Sequence, residues 1–334
     1  MHDAEAYSSL TASSPHQQPG RLSSIMEVPS SITNTLIRSD YIDLYQSIVD
    51  HVSRYYHMTP CHQEGLRAKI ATTTAGCHVP MRGMVHLVSD INTRAGALVL
   101  CIGWVILSRC LLLSSGMSNS PGSTFLPPEI VECFQSFSLE QLAKGVQMQN
   151  HAHVNWALLC RWNQLTGTLM HNTYVTNAFS HVDSRTANVE RALKDLEPLL
   201  ALFAVPAMQG RMEHLRRVLQ KGARLAFTLF SEPCVWQFNW DEDRLDAPES
   251  ADENPFDRMV RGRKQVWGYD VGRNSVVSIG SPDADVDPAK IVVWPALLRI
   301  VDDSGQYVGE KESELCAQVY LKHFVRSNVE AVAL

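Results

Sequence analysis

With 334 residues, 45% of them hydrophobic and 19% charged, the chain has the balance of a globular protein holding one large or two ordinary domains. A formal net charge of −6 argues against a surface that binds nucleic acid by charge alone, and residues 241–257 carry much of the acidity. Eight cysteines, none in a Cys-x-x-Cys pair, read as thiols of a reducing compartment and argue against a disulfide framework. No N-glycosylation sequon and no apolar signal region occur, so an intracellular protein, nuclear or cytoplasmic, is the expectation.

Residues 1–33 are Ser-, Pro- and Gln-rich, carry too little apolar surface to offset the entropy of ordering, and are expected to be disordered. Ser39 and Asp40 then offer N-caps to a helix over residues 41–52, with Ile42, Tyr45, Val49 and Val52 as its apolar stripe. A shorter helix is expected over residues 59–70, capped by Thr59, with Pro60 where a missing N–H costs nothing. The dipeptides Cys61-His62 and Cys77-His78 raise the question of a metal. Adjacent residues seldom both ligate one ion, and the two- to four-residue spacing of zinc pairs is absent, so the four read as unrelated thiols and imidazoles.

Residues 95–113 are the most apolar stretch and read as either a buried central helix or a membrane span. Only residues 95–107 are uninterrupted, shorter than the roughly twenty that cross hydrocarbon, and Arg109 follows. A buried helix is therefore expected, and membrane association is not favoured.

Residues 116–128 have loop composition. Helices follow over residues 129–137, 139–148 and 153–169, the last with a stripe of Val154, Leu158, Trp162 and Leu165. His151 and His153 read as surface histidines at that helix start. Val189, Leu193, Leu196, Leu200 and Phe203 continue the helical series, with Pro198 as a kink. In residues 207–231, Met208, Met212, Leu215, Leu219, Gly222, Ala226 and Leu229 form one face of a long helix. The opposite face carries Arg211, Arg216, Arg217, Lys221 and Arg224, read as solvated, with phosphate contact as the alternative.

After Pro233 the pattern turns to strands: residues 235–240, 265–271, 275–279, 291–294 and 315–321, with a hairpin turn at 272–274. The fold class is thus α+β: a helical bundle over residues 34–231 and a small antiparallel β-rich part over residues 232–334, packed on the bundle. Asp283, Asp285 and Asp287 imitate a calcium loop, but Pro288 and Trp294 stand where Gly and Glu are required. Residues 261–264 form a short basic cluster, read as an exposed turn or a nuclear-import signal. No dinucleotide, phosphate-loop, nucleophile-elbow or zinc-protease motif occurs, so neither a catalytic residue nor a cofactor is assigned.

The segment Leu229-Phe230-Ser231-Glu232-Pro233-Cys234-Val235-Trp236-Gln237-Phe238-Asn239-Trp240, with Val292-Val293-Trp294-Pro295-Ala296-Leu297-Leu298-Arg299-Ile300 after it, resembles the C-terminal region of a set of filamentous-fungal proteins, some similar to transcription regulators. The resemblance implies a non-catalytic regulatory or accessory factor with a protein partner. Residues 1–40 hold neither a basic region with a leucine heptad nor a six-cysteine zinc cluster, so no nucleic-acid-binding motif is present there. Two alternatives stand beside it: an enzyme or small-molecule binder with a cavity in the bundle, and a membrane-associated protein anchored by residues 95–113.

Overall fold

A computed structural model describes residues 30–59, 65–112, 124–137, 156–240 and 290–322. The helices are α1 (Ser30–Tyr55), α2 (Leu66–Thr73), α3 (Met81–Ser89), α4 (Ile91–Leu107), α5 (Pro128–Ser136), α6 (Trp156–His171), α7 (Thr186–Leu200) and α8 (Arg211–Ser231). A π-turn (Asn172–Thr176) extends α6 and a 3-10 turn (Ala201–Phe203) closes α7. Strands β1 (Val235–Asn239), β2 (Val292–Trp294) and β3 (Ala296–Val301) precede a one-turn helix α9 (Glu310–Ser313), then β4 (Glu314–Cys316) and β5 (Val319–Tyr320). The protein is α+β, mainly helical, with a small antiparallel β-part near the C-terminus.

α4 is the central helix because almost nothing in it needs water. Asp90 caps it by accepting the Asn92 N–H, and every residue from Gly96 to Leu107 is buried. It touches α1, α3, α7, α8 and β2. Small residues set how close its neighbours come. A Cβ on Gly222 of α8 would lie 2.5 Å from Ile106, so the two backbones approach there as the small face of α8 predicts. Among the described residues no helix is long and apolar enough to cross a membrane.

Two helices differ from their expected phase. α1 begins at Ser30, so Ser39 and Asp40 are interior, exposed residues and cap nothing. Its buried diagonal is Ile37, Tyr41, Leu44, Ile48 and Val52, whereas Ile42 is 55% exposed. Apolar residues occupy two adjacent diagonals, and the Tyr41 hydroxyl, donated to the Pro295 carbonyl at 2.8 Å, fixes which one turns inward. α6 buries Trp156, Cys160, Asn163 and Gly167, and leaves the expected stripe residues Leu158 and Leu165 outside. Gly167 and Ser231 meet where α6 crosses α8, and that close crossing demands the small face. α2 starts later than expected, after Gly65 in the left-handed region at φ 75°.

The β-part docks through aromatic rings. β1, β3 and β4 form one antiparallel sheet in the order β1-β3-β4, and β2 pairs with β5 in another. The expected single strand over residues 315–321 is thus two short strands in different sheets, split at Ala317 and Gln318. Trp294 packs on Tyr41 and Tyr45 of α1, with ring centroids 5.0 and 5.4 Å apart. Phe238 stacks on Tyr41 at 6.0 Å, and Trp240 stacks on His78 at 4.8 Å and meets Trp104 edge-on. The readings over residues 1–29, 113–123, 139–148, 241–289 and 323–334, with Pro60, Cys61, His62, His151, His153 and Val154, lie outside the described residues.

Candidate functional site

Most of the basic face of α8 is neutralised by carboxylates from α7, from α1 and from α8 itself. Arg211 grips Glu197 with both terminal nitrogens, at 3.0 and 2.6 Å. Arg216 bonds Glu190 and Glu213, and Lys221 reaches Asp43 at 2.7 Å. Arg217 lies 3.7 Å from Glu213, and Arg224 stacks over Phe179. Arg211, Arg216, Arg217 and Lys221 thus face carboxylates and Arg224 an aromatic ring, so the face is ion-paired to its neighbours where simple solvation was expected.

At one end of that face α8 is clasped to α1. Arg211 donates to the Tyr56 hydroxyl (3.4 Å), and that hydroxyl shares a hydrogen bond with His51 Nε2 (3.0 Å). His51 Nδ1 and His214 Nδ1 lie 3.1 Å apart and share one hydrogen, whose donor is set by the tautomer. Burial, followed by the His214 and Arg211 charges, pushes His51 down to about 3. Burial also lowers His214, with Arg54 and Arg217 adding to the effect, and raises Tyr56 to about 12. Both imidazoles are therefore neutral at pH 7, and the polar chain is spent within itself as a clasp. A histidine inside the apolar pattern of α1 was the only trace of it in the sequence.

Cys77 and His78 lie side by side, with Sγ 3.7 Å from Nδ1. The His78 Nε2–H donates to the Val292 carbonyl at 3.1 Å, tying the loop before α3 to β2. Burial lowers His78 to about 4 and raises the Cys77 thiol to about 12. No group of three or more His, Cys, Asp or Glu with metal-binding geometry occurs among the described residues. The buried thiols of Cys101, Cys110, Cys160, Cys234 and Cys316 are raised as well, which makes them poor nucleophiles near neutral pH.

α6 presents two contrasting faces. On its outer side Leu158, Leu165 and Leu169 are 67%, 42% and 84% exposed. At about 100° per residue the three project within about 40° of one another, a leucine seam with the seven- and four-residue steps of a helix-pairing face. Arg161 and Thr168 are exposed beside it, and no acidic residue occurs between Trp156 and His171.

The inner side of α6 borders a cleft of about 50 Å³. Leu159 and Asn163 of α6 face Phe134 of α5, Leu229 and Phe230 of α8, and Val235 and Trp236 of β1 across it. Asn163 Oδ1 and Trp236 Nε1 are both buried there without a hydrogen-bond partner. Neither had a signal in the sequence, since a polar residue on an apolar face cannot be told from an ordinary core amide until its surroundings are known. No protein-family model, no curated protein and no solved structure matches the chain.

Proposed function

We propose that the chain is a non-catalytic interaction protein whose docking face is the outer side of α6, and that its partner there is an acidic amphipathic helix. The observation that carries this reading is the exposed seam of Leu158, Leu165 and Leu169 on a helix with basic and neutral flanks. Three large leucines on one helix face are costly to leave in water, and a helix laid along them removes that cost. Charge complementarity selects the partner: beside the seam α6 offers Arg161 and no carboxylate, so Asp and Glu beside the partner's apolar seam are favoured. The resemblance around residues 229–240 and 292–300 supports a regulatory or accessory role in a fungal nucleus. The ion-paired face of α8 supports action through a partner that contacts DNA in its place.

A synthetic helix with leucines at three- and four-residue spacing and glutamate flanks, titrated into the full chain by fluorescence anisotropy, tests the reading. The expected result is saturable binding, weakened at least about tenfold by Leu165→Glu, a loss of about 1.4 kcal/mol. Equal binding of a lysine-flanked peptide, or no binding, overturns the acidic partner. A dimer by light scattering that Leu165→Glu returns to monomer assigns the face to a second copy instead and also overturns it.

A further inference from the structure

The cleft behind α6 combines apolar walls with one unsatisfied donor and one unsatisfied acceptor. Cys110, Leu111, Leu112, Leu126, Phe134 and Phe230 supply the apolar part. Trp236 is 5% exposed and Asn163 9% exposed, and the Trp236 indole N–H and the Asn163 side-chain oxygen lack partners. Burying two such atoms unpaired on residues that line one cleft is costly, and one small group that accepts from the indole and donates to the amide oxygen relieves both. A hydroxyl does this with a single oxygen.

We infer that this cleft is a binding site for a small uncharged alcohol, whose hydroxyl accepts from Trp236 Nε1–H and donates to Asn163 Oδ1. A cleft of about 50 Å³ takes roughly four or five non-hydrogen atoms, given the 10–15 Å³ that one water occupies on the same measure. Charge is excluded because the walls offer no counter-ion to replace lost hydration. Less than 1 Å² of either orphan atom is exposed, so entry is coupled to rotation about the soft terminal torsion of Asn163 and to a shift of the Trp236 ring, which together turn both atoms toward the cleft. The site lies on the inner face of α6 and does not depend on what docks outside.

The test uses sec-butanol as probe and the indole N–H resonances of the full chain as readout, with Trp236 assigned through Trp236→Phe. The expected result is a saturable shift of the Trp236 indole resonance with a Kd on the order of 1 mM, as about five non-hydrogen atoms allow. Methyl ethyl ketone, which keeps the acceptor and lacks the donor, binds at least about tenfold more weakly, as does sec-butanol to Asn163→Leu. Thermal melts and an otherwise unchanged indole spectrum show that this variant folds. Equal binding of ketone and alcohol, full affinity in Asn163→Leu, or no saturable shift overturns the proposal. An indole N–H that contacts only a bound water, undisturbed by the probe, overturns it too.

Discussion

Arg94 lies inside an apolar helix, forms no ion pair with a carboxylate among the described residues, and has a fully buried side chain. Its guanidinium donates to the carbonyls of Val88 (2.8 Å), Thr59 (2.6 Å) and Ser89 (3.0 Å) and stacks on Phe203. Two of those carbonyls close α3, where the helix dipole favours a cation. Arg94→Leu would leave one buried and two partly buried carbonyls without their donor, so we expect a loss of about 2–4 kcal/mol in urea unfolding; a loss below about 1 kcal/mol would show that water replaces the guanidinium. Arg185 solves the same problem differently, pairing with fully buried Asp183 at 2.7 Å among the rings of Tyr174, Phe179 and Phe227. The His51–His214 pair gives a pH signature. Both imidazoles are lowered in the folded state, so the unfolded chain binds protons first, and stability falls as pH drops below about 6.5 toward the folded value near 3. About 2 kcal/mol should be lost between pH 6.5 and 5, and His51→Gln, which can still bridge Tyr56 and His214, should flatten that slope. An unchanged slope would assign the acid sensitivity to other groups. Neither buried arginine was legible in the sequence, because hydrophobic periodicity says which face is inside and nothing about the carbonyls that chain ends bring there.

The joint between α8 and β1 is where reading the sequence succeeded most. Val189, Leu193, Leu196, Leu200 and Phe203 of the α7 region, and Leu215, Leu219, Ala226 and Leu229 of α8, are buried as their spacing predicts, whereas Met208 precedes the helix and is 42% exposed and Met212 is half-buried. A single dominant diagonal leaves only one way to pack. α1 and α6 failed in phase for the converse reason: each carries apolar residues on more than one diagonal, and a tertiary contact decides between them. Gly222 shows the competition directly. Gly222→Ala gains about 1 kcal/mol of helix propensity, but its methyl would sit 2.5 Å from Ile106, and overpacking costs about 1–3 kcal/mol. The expected net is destabilisation in a thermal melt, and a raised Tm would mean that α4 and α8 can separate freely. Along β1, Trp236 is buried while Phe238 and Trp240 are half-buried. Trp236→Ala should therefore cost about 3–5 kcal/mol and the other two substitutions less, an order that differential scanning calorimetry can check.

Taken as a whole, the molecule is a helical bundle centred on α4, with a β-rich tail fastened to it by Trp294, Phe238 and Trp240. Fold class and the buried nature of α4 follow from composition and periodicity alone, since both depend on sums over many residues. The candidate surfaces do not, because exposure of Leu158 and Leu169 or isolation of Asn163 is a property of the neighbours. α6 links them: its inner face closes a cleft, and its outer face carries the exposed leucines on which the proposed docking rests. A leucine-methyl spectrum of the full chain, recorded with and without the glutamate-flanked helical peptide, tests this assignment most directly. The methyls of Leu158, Leu165 and Leu169 should shift together and saturably while those of Leu159 and Leu229 stay in place. Shifts confined to other leucines, or none with peptide in excess, would contradict it.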